Sequence, residues 1–353
     1  GHILQNSRDR TATGKIDMVK LYNKVGFLKK INTPSRKKKN DETPFATKVG
    51  KGFVRTLMSV RSINATYGVR ESTGLPGFTV TPFLFGLDSG FNSPGYDFIL
   101  GSQDPDIRFR AAENNWLTRS EALTNTFQQT RTTDFNIRTS VEPSRDLKIQ
   151  LEASRSYNAD FREIFRYSGE LDQYISQTPA RSGAYNISFL SIQTAFGDAR
   201  NNNISAAFEQ FRENLEVVEQ RMNSELNSLG ILGNYDSISQ DIMVPAFISA
   251  YSGQSANDIS LKPFPTIPIP SWRLDFAGLS NLPGLKDWFS SINITHGYRS
   301  VFAIGNYTNS LTYSDNLTLD NQILDYPLGT QVDSLTGNLV PVYIINQVTI
   351  AEQ

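Results

Sequence analysis

The sequence predicts an all-β protein whose strands are antiparallel, long and two-faced. In residues 132–157, small or apolar side chains alternate with polar ones on both sides of the turn at residues 142–146. Successive side chains of a strand point to opposite faces, so this segment is a hairpin with one apolar and one polar face. Each arm keeps the alternation for about nine to eleven residues, whereas strands average about five or six.

The charges of the hairpin all fall on one face. Asp134 and Arg138 in the first arm share the polar face with Lys148 and Glu152 in the second. The apolar face carries Phe135, Ile137, Val141, Leu147, Ile149 and Leu151. A one-residue slip in register would move all four charges to the apolar face, so the register is strongly specified. The pattern leaves open whether the apolar face contacts a protein core or lipid, because a β-sandwich with one wet face alternates in the same way.

The N-terminal segment, residues 1–52, is predicted to be basic and largely outside the sheet. Residues 1–55 hold 14 Lys and Arg against four Asp and Glu, a local charge of +10, so the remainder of the chain carries −11. A short amphipathic helix is expected within residues 15–31. The first ten residues show no apolar core with a cleavage site, so we expect the chain to be cut from a longer one.

The next predicted elements are a strand at residues 53–67 and a loop rich in Gly and Pro at residues 68–105. The connections after residues 67 and 157 are expected to be long, whereas the hairpin turn EPSRD is short. Outer-membrane barrels combine short turns on one side with long loops on the other. A further strand is predicted at residues 183–196.

The period changes after this strand. Apolar residues recur at threes, fours and sevens and predict one amphipathic helical insertion at residues 204–230. A proline-rich entry segment at residues 261–272 then leads into an alternating strand. Two strands are expected around Gly305 and Asn306, and a last one at residues 340–350.

Several kinds of chemistry have no residues to carry them. The sequence has no cysteine and only two histidines, and it contains no HExxH, GxGxxG, Walker A or EF-hand pattern. We therefore predict no enzyme, no metal site and no cofactor. The overall charge is balanced, so no nucleic-acid partner is predicted. No run of 18 apolar residues occurs, which excludes a membrane-spanning helix.

Ordered blocks of sequence resemble one family. They are LYNKVGFLKKIN, STGLPGFTVTPFLFG, SPGYDFILGSQD, VEPSRDLKIQLEASRSYNADFREIFR and PIPSWRLDFAGLSNLPGLKDWFSSINITHGYRSVF. Together they resemble the SprA (Sov) family of Bacteroidota. That resemblance implies a very large outer-membrane β-barrel, the pore of type IX secretion and gliding motility, which passes folded cargo proteins. It also implies a PorV-type barrel and a periplasmic plug protein as partners. Complete family members are several times longer, so this chain would form a sector of the wall.

The resemblance assigns the two faces. The apolar residues of the hairpin are expected to face outer-membrane lipid, and Asp134, Arg138, Lys148 and Glu152 the water-filled lumen. Tyr157, Trp272 and Tyr298 are expected at the membrane interface. Residues 53–353 would be barrel wall, with the loop and the helical insertion attached. The alternative from another class is a secreted or surface β-sandwich module that binds a ligand through its loops.

Overall fold

The computed structural model describes residues 2–26, 28–29, 58–191, 206–282, 284–285, 287–313 and 328–353. Within these ranges the chain is mostly antiparallel β-sheet with few helices, which confirms the predicted all-β character. The strands are β1 His2–Asp17, β2 Val60–Phe78, β3 Phe127–Val141, β4 Leu147–Ser168, β5 Gln173–Ser188, β6 Ser271–Phe276, β7 Ile294–Tyr298, β8 Ser300–Asn309 and β9 Tyr343–Glu352. The α-helices are α1 Met18–Lys24, α2 Tyr96–Ile99, α3 Ile107–Glu113, α4 Ala206–Ser228 and α5 Gln240–Ser252.

All nine strands belong to one sheet. Seven follow in the order β1-β2-β3-β4-β5-β8-β9, and β6 joins the sheet at β4 and pairs in turn with β7. Every ladder is antiparallel. Among the described strands β1 pairs with β2 alone and β9 with β8 alone, so the sheet is open.

The strand β4 has two partners on the same side. Residues 147–152 pair with β6, and residues 155–168 pair with β5. The Ile269 amide donates a hydrogen bond of 3.0 Å to the Ser188 carbonyl, so β6 continues where β5 ends. β7 and β8 are separated by Arg299 alone. The described residues between 189 and 270 therefore belong to an insertion that leaves the sheet in the middle of one composite strand.

The two faces of the sheet differ in what covers them. We call the face that carries Tyr157 and Phe161 the packed face, and the opposite one the polar face. Phe98 and Ile107, from α2 and α3, pack on a cluster with Phe127, Phe161 and Phe165. A second cluster combines the α4 and α5 side chains Val218, Met222, Leu226, Ile242 and Ala246 with the strand side chains Tyr157, Tyr185, Ile187, Phe302 and Tyr307. Both helical layers lie on the packed face.

The helix α4 follows the predicted insertion at residues 204–230 closely, although residues 204–205 lie outside the described part. Its buried side chains Val218, Met222 and Leu226 are four residues apart and form one stripe. The second helix, α5, was not predicted. Most of its side chains are buried, several of them against α4 and β9, so it lacks the periodicity that reveals a surface helix. The Ser239 side chain caps its start by accepting from the Asp241 amide.

The N-terminal prediction was wrong for residues 2–17. They form a 16-residue strand on β2 rather than a segment outside the sheet. The strand escapes recognition because its packed face carries Asn6, Arg8 and Arg10, so the alternation of apolar and polar residues is absent. The predicted short helix corresponds to α1, which Asp17 caps by accepting from the Lys20 amide. Residues 30–57 lie outside the described part of the chain.

The long connections were predicted in part wrongly. β2 runs on to Phe78, so the first eleven residues of the predicted loop 68–105 are strand. Gly68 and Gly74 interrupt the alternation, although neither is forced into an unusual conformation. β4 runs on to Ser168, and residues 169–172 then turn directly into β5. The connection from β2 to β3, residues 79–126, is the long one. Gly305 and Asn306 lie inside β8, where its register with β9 shifts.

Candidate functional site

The polar face is held together by ion pairs that cross strands. Arg70 of β2 donates to Asp134 Oδ2 of β3, and Asp134 Oδ1 accepts from Ser156 of β4 at 2.7 Å. One carboxylate thus joins three adjacent strands. Charge-assisted hydrogen bonds of this kind are stronger than neutral ones, and they fix the relative register of the strands.

A second polar group lies two rows along the same face. Arg138 and Asn136 of β3 both donate to Glu152 Oε1 of β4, at 2.8 and 2.9 Å. Lys148 is exposed and its register partner on β6 is Asp275. Asp134, Arg138, Lys148 and Glu152 therefore share one face, and that face carries charges along its length.

The packed face contains a region that neither helical layer of the described structure covers, and we call it the apolar band. The band comprises Ile63, Ala65 and Tyr67 of β2, Phe135, Ile137 and Val141 of β3, Leu147, Ile149 and Leu151 of β4, Trp272, Leu274 and Phe276 of β6, and Ile294 of β7. None of these side chains belongs to either helix-covered cluster. Tyr67 and Ile294 are almost half exposed. The six apolar residues predicted from the hairpin all lie in this band.

The three aromatic residues expected at an interface have different surroundings. Trp272 stacks on Tyr298 with ring centroids 4.5 Å apart, and the Tyr298 hydroxyl accepts from the Ser191 amide at 2.8 Å. Tyr157 is buried under the α4–α5 layer, where its hydroxyl accepts from Arg181. Tyr157 therefore lies in a protein core and not near the end of its strand. β4 continues past it for a further eleven residues.

Above the band, the packed face carries a cluster of charges that we call the arginine collar. Arg8 and Arg10 of β1 contact Glu71 Oε2 of β2 at 2.9 and 3.0 Å, and Arg131 of β3 lies 3.7 Å from Glu71 Oε1. Three guanidinium groups share one carboxylate, which leaves a charge of +2. The Arg131 Nε is buried and makes no hydrogen bond with the residues that the structure describes.

The loop after β2 closes over the next row of the sheet. Asn6 donates to the carbonyls of Phe98 and Ser102 at 2.9 and 2.8 Å, and Gln103 donates back to the Asn6 side chain at 2.7 Å. In the same loop Arg110 pairs with Asp97 and Asp104. The collar therefore lies at the boundary between the loop-covered end of the sheet and the uncovered band.

A buried ion pair anchors α3 to the sheet. Arg108 contacts Glu163 of β4, and both side chains are almost fully buried. The Arg108 guanidinium lies 4.2 Å from the ring centroid of Phe109 and 5.1 Å from that of Phe127. Burial lowers the pKa of Arg108, although the Glu163 carboxylate opposes the shift. Arginine stays charged far above neutral pH, so this pair is a structural link.

Neither the collar nor the Arg108–Glu163 pair was predicted from the sequence. Each collar residue comes from a different position in three strands, up to 123 residues apart, and only the register brings them together. Glu163 offered one signal, since it interrupts the apolar positions Phe161 and Phe165 of an alternating strand. A charge at such a position predicts a buried partner.

The described residues contain no group of three or more His, Asp or Glu that could hold a metal ion. No helix in the described ranges is long and apolar enough to cross a membrane. What the arrangement offers is a sheet with one charged face and an opposite face that changes from apolar to basic along the strands. Comparison with protein-family models and with curated proteins gives no significant match.

Proposed function

We propose that this sheet is a sector of an outer-membrane barrel wall, with the apolar band in lipid and the polar face along a water-filled path. The observation that carries the proposal is the pairing of the two faces at the same level. Where the band presents Ile137, Ile149 and Leu151, the opposite face presents Arg138, Lys148 and Glu152. Alternating apolar-out and polar-in residues are the pattern of transmembrane strands.

The dimensions of the band support this proposal. Phe135 lies opposite Arg155, eight residues along β4 from Leu147. Eight steps cover about 27 Å along the strand, or about 20 Å along the membrane normal at a tilt of about 40°. Outer-membrane barrels carry an apolar band about 25 Å tall. β4 has 22 residues, and about 9–11 suffice to cross, so the rest of the strand extends beyond the membrane and carries the helical layers.

The polar face could not contact lipid without a large cost. Each Arg or Lys at the bilayer midplane costs about 2–4 kcal/mol, and at the level of the band this face holds Arg138 and Lys148 on two adjacent strands. An open sheet edge is also unfavourable in hydrocarbon, so in the intact protein β1 and β9 would pair with further strands.

The resemblance to the SprA family supplies the more specific part of the proposal. We propose that the intact protein is a type IX translocon of the outer membrane, that cargo proteins pass along the polar face, and that a PorV-type barrel and a periplasmic plug protein are its partners. In this role the chain carries out no chemistry. The polar residues Asp134, Arg138, Lys148 and Glu152 would line the path.

A second candidate is a surface module that binds a ligand through its loops. The observation that favours it is the loop after β2, where Phe83, Phe85 and Leu100 are each more than two thirds exposed. In the described ranges, however, the packed face is covered in part by helices and by no second sheet, unlike a β-sandwich. The module would be extracted from cells in plain buffer, whereas the barrel wall would need detergent.

Cysteine labelling in the intact protein, in membranes, tests the proposal. This chain contains no cysteine, so within it each introduced thiol reports on one position, and labelling of the intact protein without an introduced cysteine gives the background. We expect Gln150→Cys and Asn136→Cys to react with a membrane-impermeant maleimide once the lumen is opened, and Ile149→Cys and Ile137→Cys to stay unreactive until detergent is added. Equal reactivity of adjacent positions in membranes would overturn the assignment of the faces.

A further inference from the structure

We infer that the arginine collar binds the phosphate head group of an anionic lipid whose acyl chains lie on the apolar band. This inference rests on the proposed function, because only a band in lipid places acyl chains beside the collar. The ligand class is an anionic phospholipid, and the residues that would hold its phosphate are Arg8, Arg10 and Arg131.

The collar has an excess of positive charge and of hydrogen-bond donors. Glu71 is the one carboxylate in contact with the three guanidinium groups. Each guanidinium offers five N–H donors, whereas a carboxylate accepts about four hydrogen bonds. A phosphate group would supply both the missing negative charge and further oxygen acceptors.

The collar lies a short distance from the apolar band along the strands. On β3, Arg131 and Phe135 are four residues apart on the same face, about 13 Å along the strand, or about 10 Å along the membrane normal. On β1, Arg10 is two residues from Ala12, which lies opposite Tyr67 of the band. The head-group zone of a leaflet is about 5–8 Å deep, and the long stem of arginine can bring its charge to that level. The collar therefore lies at head-group height above the band.

The arginine side chains of the collar are accessible at the surface. The Arg10 side chain is about half exposed, and the side chains of Arg8 and Arg131 are partly exposed, so the guanidinium groups can be reached from outside. The neighbouring loop holds a separate network in which Arg110 is paired with Asp97 and Asp104. That network carries a charge of −1, so the two networks together remain positive. Basic groups beside a hydrocarbon surface bind anionic head groups.

The test compares two double variants of the intact protein. Arg10→Gln with Arg131→Gln leaves Glu71 paired with Arg8 alone, so the collar becomes neutral without exposing an unpaired carboxylate. The matched control, Arg70→Gln with Arg162→Gln, removes the same charge from the polar face. In detergent micelles, binding of dioleoyl phosphatidylglycerol and of dioleoyl phosphatidylcholine is measured by native mass spectrometry.

We expect the parent protein to prefer phosphatidylglycerol and the collar variant to lose about 30-fold in affinity, since each of the two basic residues contributes about fivefold. The control should stay within about twofold. The variant Glu71→Gln leaves three arginines without a counter-charge and should bind phosphatidylglycerol more tightly than the parent. A purely structural role for the collar predicts no change in lipid affinity in any of the three variants, and that result would overturn the inference.

Two further outcomes separate the possible sources of the anion. If inorganic phosphate at 10 mM displaces the lipid completely, the collar is a site for free anions and the lipid assignment is wrong. If Ile149→Cys and Gln150→Cys react equally in membranes, the assignment of the two faces is wrong, and the proposed function is overturned together with the inference that rests on it. Selective labelling together with unchanged phosphatidylglycerol binding would overturn the lipid site and leave the barrel wall standing.

Discussion

Tyr307 lies directly over Gly183, and its hydroxyl donates to the Asn158 carbonyl at 3.0 Å. The phenol crosses from β8 above β5 to reach the backbone of β4, and the ring is fully buried under the α4–α5 layer. This crossing is possible because Gly183 has no side chain. The helical layer therefore packs over β5 at a position, Gly183, that has no side chain.

We predict that Gly183→Ala destabilises the protein by at least about 1–3 kcal/mol, the usual cost of overpacking a core. An added Cβ would lie 2.0 Å from the Asn158 carbonyl oxygen and 2.4 Å from the Tyr307 hydroxyl. The control is Gly68→Ala in β2, where the nearest atom is 3.7 Å away. Thermal unfolding of the intact protein in detergent should show a large decrease for the first variant and little change for the second. Equal unfolding temperatures would contradict the close packing.

Two Glu→Gln substitutions should differ strongly in their effect on stability. Glu163→Gln leaves Arg108 buried without a counter-charge, and we expect a loss of about 3–5 kcal/mol. Glu152→Gln breaks the exposed contact with Arg138, for which about 1 kcal/mol or less is expected. The free energies of unfolding from denaturant titrations measure both. Similar losses would mean that α3 does not depend on the buried pair.

A single lysine should report which face contacts lipid. Ile149→Lys places a charge in the apolar band and is expected to cost about 2–4 kcal/mol near the midplane, which reduces the amount of protein assembled in the outer membrane. Gln150→Lys adds the same charge to the polar face, between Lys148 and Glu152, and should assemble normally. Quantifying the two variants in isolated outer membranes checks the prediction. Equal assembly would argue against a lipid-exposed band.

The α4–α5 layer should loosen at alkaline pH. Burial raises the pKa of Tyr235, which lies between the two helices and accepts a hydrogen bond from the Gly329 amide at 2.8 Å. Because the folded pKa is the higher one, the contribution of Tyr235 to stability is complete below about pH 10 and is lost as the pH rises through the folded value.

The variant Tyr235→Phe cannot ionise, so its stability should fall less steeply above pH 10 than that of the parent. At neutral pH it should be less stable by about 1 kcal/mol, because the Gly329 amide loses its acceptor. Near-neutral and alkaline unfolding curves of both proteins give the comparison. Parallel loss of stability in the two would show that other groups govern the alkaline transition.

The hairpin could be predicted from the sequence because both of its faces are uniform in character. Apart from Thr139 and Ser140, residues 134–141 and 147–152 carry a charge or an amide on one face and an aliphatic or aromatic group on the other, so the period of two is easily recognised. The face assignments within the hairpin follow directly from this alternation. Whether the band contacts lipid stays a prediction, since the sheet alone presents the same surface in either case.

The other parts of the fold could not be predicted where tertiary contacts decide the residue type. β1 has arginines on its packed face because Glu71 neutralises them in part, and that partner lies 61 residues or more away. α5 has no continuous polar face because neighbouring elements bury most of its side chains, while its exposed residue, Met243, is itself apolar. The buried position of Tyr157 depends on helices that follow it by some 50 residues. Local patterns contain none of this information.

The hydrogen bond between Ile269 and Ser188 also bears on how such a protein can vary. The ends of the 82-residue insertion meet within 3.0 Å, so the composite strand is continuous without it. A domain whose entry and exit points touch can be exchanged, lengthened or lost while the wall keeps its ladders. The helical unit is therefore attached at one point of the sheet, and we expect that it could be exchanged or lost while β4 keeps its ladders with β5 and β6.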